Sequence, residues 1–497
     1  MDKIVSAEKM RSLEKRIFDL GVDSFAVMEK AAMTIAEEVK KRFGTDTKVL
    51  VCCGKGNNGG DGLAVARMLL LDGYKVAICL PLGEPSTADA TKNFEIIQKL
   101  NVEIVSEKED FSIFDVIVDA ILGTGISKDV DLPVIDKINN SPAFVIAADI
   151  PTGISSDSGR VLKMAVQADL TVALAFKKKG HSIYLGKEYC GEIVIKDIGI
   201  PFEGDCDTFE VDAEYINSIL PAADVQAHKG DMGRISVIAG SKGFTGAATL
   251  CSESVLKSGG GLVTLFTPEN LNEIYEKKLT EAMTLPLDCN DCLDADLVLG
   301  KADTLKKADA VVIGPGLGRD CDAGKIIRFL FENEIPVVID ADGINKVAAN
   351  INILNEKKGK TVLTPHIGEF SRLTGLSSDE ILADRLEKAR EFAIKHGVTL
   401  VLKGAGTVIA QPDGVCFINH TGNSGMATGG SGDVLTGILG AFLARGMSTE
   451  NAAVAAVYIH GLAGDIAKDS LGSESMLPTD VIGFIHKAFL KIKNQDR

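Results

Sequence analysis

Apolar positions along this chain switch repeatedly between helical and strand periods. Met10, Leu13, Ile17 and Leu20 fall at helical spacing behind Ser6, which predicts a first helix opened by that serine. A second helix is predicted over 24–42, with Met28, Ala31, Ala32 and Ile35 on one face. The apolar run Lys48–Cys53 reads as a strand buried on both faces. Strands at Lys75–Leu80, Phe114–Asp119 and Phe144–Asp149 follow, with a helix over 86–100. An acidic stretch without consistent period, 202–227, reads as a linker holding a short helix. Alternation then resumes with strands at Ile235–Ala239, Leu262–Phe266, Ala310–Ile313, Val337–Asp342, Thr361–His366 and Leu400–Thr407. A helix runs to Lys257, and Val434, Leu435, Ile438, Leu439, Phe442 and Leu443 mark a late amphipathic helix. Strand–helix alternation on both sides of the linker predicts two α/β domains with parallel sheets, residues 1–212 and 220–497.

Composition narrows the partners. The length of 497 residues suits more than one core, and 51 glycines against 14 prolines suit compact α/β domains. A net charge of −16 with no long basic run argues against nucleic acid and against an anionic membrane surface. Small-molecule substrates are expected, and anionic ones would need loop amides and individual lysines. The ten cysteines are scattered; Cys289 and Cys292 form one C-x-x-C without a second pair at zinc spacing. Reduced thiols in the cytoplasm are the expectation. The charged N-terminus lacks a signal peptide's apolar core, and no 18-residue apolar run suggests a membrane span. A homo-oligomer is expected.

The candidate chemistry sits where strands end. Lys48–Cys53 runs directly into Gly54-Lys-Gly-Asn-Asn-Gly-Gly-Asp-Gly62, read as a glycine loop before a helix. Strand, glycine loop and helix open a doubly wound, Rossmann-like fold, although the spacing is neither G-x-G-x-x-G nor a Walker loop. Asn and Asp oxygens in such a loop can ligate a hard cation or hold a sugar; they also simply tolerate tight turns. Asp119 closes one strand ahead of Gly123-Thr-Gly125, and Asp149 closes another ahead of Ile-Pro-Thr-Gly153. Each carboxylate alone could be a cap, but three such loops at successive strand ends should converge on one crevice. In the second half, Asn423–Asp433 packs four glycines into eleven residues before an apolar helix. Loop amides and the helix dipole there suit a phosphate or a developing anion. Asp433 at its mouth reads either as a base or as an ordinary N-cap.

GKGNNGGDG, DAILGTG and ADIPTGI, with VIKDIGIP at 194–201, resemble the NAD(P)H-hydrate epimerase family over roughly residues 1–210. The resemblance implies a potassium ion held by Asn58, Asp119 and Thr152. It implies a hydrated nicotinamide nucleotide along Asn57, Asn58, Gly59, Gly60 and Asp61 and along Gly123, Thr124 and Gly125, with Asp149 at the reacting ring as the catalytic residue. Phe176-Lys-Lys-Lys-Gly-His181 departs from the family, which usually shows one lysine before the glycine.

HKGDMGRISVIAGS, TGAA, GPGLG, DADGIN, LTPHIGEF, LKGAGT and NSGMATGGSGDVLTG, in that order, resemble the ADP- or ATP-dependent NAD(P)H-hydrate dehydratases over about 225–490. A ribokinase-like α/β domain is implied. The nucleotide is expected on Lys403, Gly404, Ala405, Gly406 and Thr407 and on Asn423, Gly429, Gly430, Ser431 and Gly432. Ala248, Gly318, His366 and Asp433 are expected around the hydrated ring. ADP would donate a phosphoryl group to the C6 hydroxyl with Mg2+ on its diphosphate, Asp433 would take the proton, and phosphate loss would restore the ring. His366 also reads as a loop histidine bonded to backbone, and His460 as core or supporting. The rival expectations are a vitamin or sugar kinase with an N-terminal nucleotide-binding module, and a first domain that binds without catalysing.

Overall fold

The computed structural model of this chain describes residues 1–126, 128–222, 226–318 and 320–494. Two compact units divide between Thr208 and Phe209.

The first unit contains β1 (Asp2–Val5), β2 (Lys48–Cys53), β3 (Lys75–Cys79), β4 (Glu103–Val105), β5 (Val116–Ala120), β6 (Phe144–Ala148), β7 (Leu170–Leu174), β8 (Lys177–Lys178) and β9 (Glu192–Lys196). Seven of these form a parallel sheet in the order β4-β3-β2-β5-β6-β7-β9. Val49, Val51 and Cys53 point into one apolar layer and Leu50 and Cys52 into the other, which is why β2 reads as a continuous apolar run. Strand order reverses between β2 and β5, where a crevice opens at the carboxyl ends. The register aligns Cys52 with Asp119 and Asp119 with Ala147, so the loops after β2, β5 and β6 leave the same edge.

Two expectations change in this unit. The stretch expected as a loop to Gly62 is already helical from Asn57, in a helix Asn57–Leu71. A Cβ on Gly59 would lie 1.9 Å from the Gly54 carbonyl oxygen, so the glycines there let a helix end pack onto the turn. The first helix, Ala7–Asp19, is capped by Ser6, whose Oγ accepts from the Lys9 amide at 3.1 Å. It stops before Leu20, which is 72% exposed rather than on the apolar face.

The second unit carries β10 (Thr208–Glu210), β11 (Arg234–Ile238), β12 (Leu262–Pro268), β13 (Met283–Leu287), β14 (Ala310–Ile313), β15 (Val337–Ile339), β16 (Thr361–Leu363), β17 (Thr399–Leu402), β18 (Thr407–Ala410) and β19 (Cys416–Asn419). The order β13-β12-β11-β14-β15-β16-β17 is parallel, and β17-β18-β19 is antiparallel, with β10 beside β19. The expected strand Leu400–Thr407 is thus two strands joined by a turn at Lys403–Gly406. Helix Ser431–Ala444 packs so closely on helix Thr245–Lys257 that a Cβ on Gly437 would lie 2.0 Å from Ser254 Oγ. The stretch expected as a linker supplies β10 and helix Ala213–Ile219; residues 223–225 of it lie outside the described residues. Thr208 and Phe209 are good strand formers, and the Val211 amide donates to the Ile418 carbonyl at 3.1 Å. Among the described residues, no helix is long and apolar enough to cross a membrane.

Candidate active sites

In the first unit, β5, β6 and the helix after β2 bring the predicted oxygens together. Asp119 is fully buried; its Oδ1 accepts from Thr152 Oγ1 at 2.7 Å and its Oδ2 from the Thr152 amide at 2.8 Å. Burial lifts the Asp119 carboxyl to about 6, against the lowering effect of those bonds. The Leu122 amide donates to Thr152 Oγ1 at 3.0 Å. A Cβ on Gly123 would lie 3.2 Å from Asn58 Oδ1, so the Gly123 turn closes over Asn58. Asn58 Nδ2 is buried without a partner. Asp119 and Thr152 are thus bonded to each other, and the turn that follows Leu122 reaches Asn58 at Gly123. Among the described residues no group of three or more His, Cys, Asp or Glu side chains is arranged to hold a metal.

Asp149 follows β6 with a left-handed φ of 65°, a conformation that costs an aspartate energy and is held here by neighbours. His181 Nδ1 accepts from the Lys178 amide at 3.0 Å, so its Nε2 carries the proton and donates to the Asp149 carbonyl at 2.7 Å. Burial pushes His181 down to about 4, keeping it neutral. Asp149 Oδ1 accepts from the Leu174 amide at 3.1 Å and pairs with the Lys178 ammonium. Of the three consecutive lysines, Lys178 is thus the one that enters the site, while Lys177 pairs with Asp2 at 2.9 Å. Alternation along β8 could have suggested that split, but not which of the two faces the site. Asp61, in the second turn of its helix, is buried, and burial together with the Asp149 and Glu14 charges raises its carboxyl well above the ordinary range. Glu14, half-buried on the first helix, is raised by burial and by Asp149; sequence reading did not single it out. Asn57, Thr124 and Gly125 lie at or near the surface, whereas Gly59 and Gly60 are buried and can offer only backbone.

In the second unit, Asp433 stands in the first turn of helix Ser431–Ala444. The N-cap is Gly430, at φ 102°, so the alternative reading of Asp433 as the cap does not hold. Burial, then the charge of Asp340, raise Asp433 to about 7, with Lys403 pulling the other way. Lys403 Nζ donates to Asp340 Oδ1 at 2.8 Å and lies 3.9 Å from Glu369 Oε2. Despite burial, the Asp340, Glu369 and Asp433 charges raise the pKa of Lys403, which stays charged. A Cβ on Gly432 would lie 3.3 Å from Lys403 Nζ, so the ammonium faces the helix start directly. Asp340 Oδ2 accepts from Thr436 Oγ1 at 2.9 Å, tying the end of β15 to the second turn of that helix. Asp340 and Glu369 were visible in the sequence only as acids at strand ends.

The other predicted residues divide by role. His366 Nδ1 accepts from the Gly368 and Glu369 amides at 3.0 and 3.3 Å, capping a helix, while its ring stays half exposed. Asn423 is committed to its loop: Oδ1 accepts from the Gly425 amide and Nδ2 donates to Asp465 Oδ1, at 3.0 and 2.9 Å. The Gly318 amide donates to Asp342 Oδ2 at 2.9 Å. Ala248 is fully buried, and a Cβ on Gly240 would meet it at 2.8 Å. Gly404, Ala405 and Gly429 are exposed, and Gly406, Thr407, Gly430, Ser431 and Gly432 partly so. Ser431 Oγ lies 3.5 Å from Nε2 of the buried His460, which burial pushes down to about 4.

A doubly wound domain with a buried acid cluster, joined to an α/β domain whose lysine and aspartate face a glycine-rich helix start, defines a two-domain enzyme acting on small anionic ligands. Residues 24–180 match the family described as YjeF-related protein N-terminus, and residues 235–487 match NAD(P)H-hydrate dehydratase. The chain is 37% identical to the bifunctional NAD(P)H-hydrate repair enzyme Nnr of Moorella thermoacetica, covering 98% of this chain and 94% of that one. It is 32% identical to the Escherichia coli protein of the same name, over 97% and 93%. The crystal structure of an ADP/ATP-dependent NAD(P)H-hydrate dehydratase from Bacillus subtilis, co-crystallised with ATP and Mg2+, is similar over 57% of this chain and 98% of that one, at TM-score 0.50 and 30% identity. The chain belongs to the bifunctional NAD(P)H-hydrate repair enzymes, with a ribokinase-like second domain. That membership favours the repair reading over a vitamin or sugar kinase.

Proposed function

We propose that the first unit interconverts the two C6 epimers of hydrated NADH or NADPH, and that the second dehydrates one of them, the S form, with ADP. The observation that carries the second half is Asp433, held near neutrality beside a charged Lys403 at a helix start. A base is most effective when its pKa lies near the working pH. Asp433 takes the proton of the C6 hydroxyl as that oxygen meets the phosphoryl group. Lys403 and the first-turn amides of Gly432 and Asp433 stabilise the charge that builds on the transferring group. The phosphorylated oxygen then leaves as phosphate with help from the ring nitrogen, giving AMP and the reduced nicotinamide. Mg2+ fits as a partner of the diphosphate rather than of a protein cage, since Asp340 is already bonded to Lys403 and Thr436. It would lower the negative charge of the donor.

In the first unit, Asp149 is fixed in its ion pair while Asp61 is held toward its protonated form. A carboxyl held protonated beside one engaged by an ammonium can serve as acid and base. Acting on the substituents of C6, they let a bond there open and re-form with inverted configuration. Gly59, Gly60 and the Gly123–Gly125 turn shape the ligand crevice. Asn58, Asp119 and Thr152 suit a potassium ion, because a single buried carboxylate with neutral hydroxyl and amide oxygens matches the charge of a monovalent cation. A monovalent cation there would order the turn after β5.

The direct test supplies purified protein with mixed hydrate epimers and ADP or ATP. Complete recovery of reduced-nicotinamide absorbance, with one free phosphate per ring, is expected. A stable phosphoester product would refute the dehydratase reading, and recovery stopping at one epimer would refute the epimerase reading.

A further inference from the structure

Arg385 opens helix Arg385–His396 and is 3% exposed. Its guanidinium lies beneath the turn between β17 and β18. Nη1 donates to the Ala405 carbonyl at 2.6 Å and Nη2 to the Leu402 carbonyl at 3.2 Å. A Cβ on Gly404 would lie 3.2 Å from Nη2, and Gly404 takes a φ of 146° that a side chain rarely adopts. Nε is buried with no partner. Among the described residues no carboxylate pairs with Arg385, and burial alone pulls its pKa down, to about 10. The fully buried Lys178 is compensated by Asp149, and the partly buried Lys403 by Asp340. An arginine out of water without an anion is costly, and buried charges are ordinarily paired. The opposite face of the same turn is open, with Gly404 and Ala405 exposed.

We propose that Arg385 is the positioning residue of the nucleotide turn and that its missing counter-charge is a phosphate of the nucleotide bound across Lys403–Thr407. This rests on reading that turn as the nucleotide site. Arg385 holds the turn by two carbonyls, and its field favours a phosphorylated ligand over an uncharged nucleoside. It touches no reacting atom, so its effect falls on nucleotide affinity rather than on turnover.

The test uses the full chain with Arg385→Met and Arg385→Lys. Adenosine, AMP and ADP binding are measured by calorimetry, dehydration as KM for ADP and kcat, and the melting transition of the second unit as the control on folding. Arg385→Met should weaken AMP and ADP roughly 10- to 100-fold, the range for hydrogen bonds to a charged group. KM for ADP rises in parallel, kcat stays within a few-fold, adenosine binding is unchanged, and Arg385→Lys recovers most of the loss. Equal weakening of adenosine and ADP, or an unchanged ADP affinity, overturns the proposal. If Arg385→Met does not fold, Arg385→Gln decides: it keeps a side-chain donor for the turn but not the charge, and must weaken ADP more than adenosine. A wild-type chain that binds no ADP overturns the turn's assignment, which is distinct from a variant that binds it normally.

Discussion

Replacing Asp433 by Asn separates catalysis from stability with opposite signs. The carboxyl is lifted from an ordinary 3.8 to about 7, mostly by burial. That difference corresponds to roughly 4 kcal/mol against the ionised form, and water reaching a half-buried group reduces it to about 1–2 kcal/mol. The helix dipole favours an ionised first-turn carboxylate by only about 0.3–1 kcal/mol, so burial wins. A carboxyl with a raised folded pKa contributes stability that is fully present below about pH 4 and lost as pH rises through about 7. Asn has no such loss. Capping is not at stake, because Gly430 is the cap. The Asp433→Asn protein should therefore match wild type at pH 4 and melt roughly 2–3 °C higher at pH 8 in the transition of the second unit. Dehydration should fall on the order of 10³-fold, with ADP binding within a few-fold. Wild-type kcat/KM should decline as pH drops below about 7, and that limb should vanish in the variant. Calorimetry across pH and steady-state dehydration check both halves. Near-wild-type dehydration would refute the base; a lower melting temperature at pH 8 would refute the burial argument.

Other outcomes follow from the same geometry. Asp149→Asn should reduce epimerisation by roughly 10²–10⁴-fold while substrate still binds, and a loss below tenfold would hand the role to another group. Asp119→Ala should weaken the potassium dependence of epimerisation and leave dehydration unchanged; an unaltered potassium titration would remove the cation assignment. Fragments 1–208 and 209–497 should each keep one activity, measured on separate epimers, since the division falls between Thr208 and Phe209. Loss of both activities in soluble fragments would show that the units depend on each other.

What could be read from the sequence tracks what is local. Long apolar runs such as Lys48–Cys53 placed the strands, because a two-faced buried strand admits little else. Motif order identified the loops. The failures were of boundary and of partner. Asn57–Gly62 reads as a loop, yet close packing on Gly54 winds it into a helix. Lys403–Gly406 reads as a strand end, but Thr407–Ala410 returns antiparallel, which only the pairing decides. Asp433 after its glycines reads as a base or as a cap, and the sequence leaves both open until Gly430 takes the cap position with a backbone no aspartate would favour. Lys178, Asp340, Glu369 and Arg385 gain their roles from residues far away in sequence, so no spacing announces them.

Both units place a lysine–aspartate pair at a strand's carboxyl end, and the pairs are used differently. Asp149 is bonded to Lys178 and His181 holds its backbone, so the paired acid is itself the group set against Asp61. Asp340 spends both oxygens on Lys403 and Thr436, so the paired acid is fixed, and the group proposed to work is Asp433. The difference follows from what each reaction must manage. Epimerisation leaves the substrate's charge as it began, and an acid–base pair serves it. Phosphoryl transfer brings a polyanion toward a carboxylate, and a cation must stand between them. Asp340 and Glu369 keep Lys403 charged for that task, and Lys403 in turn pulls Asp433 down. Burial, with the Asp340 charge second, outweighs that pull and brings Asp433 near neutrality, which on the proposed reading suits it as the base of the dehydration.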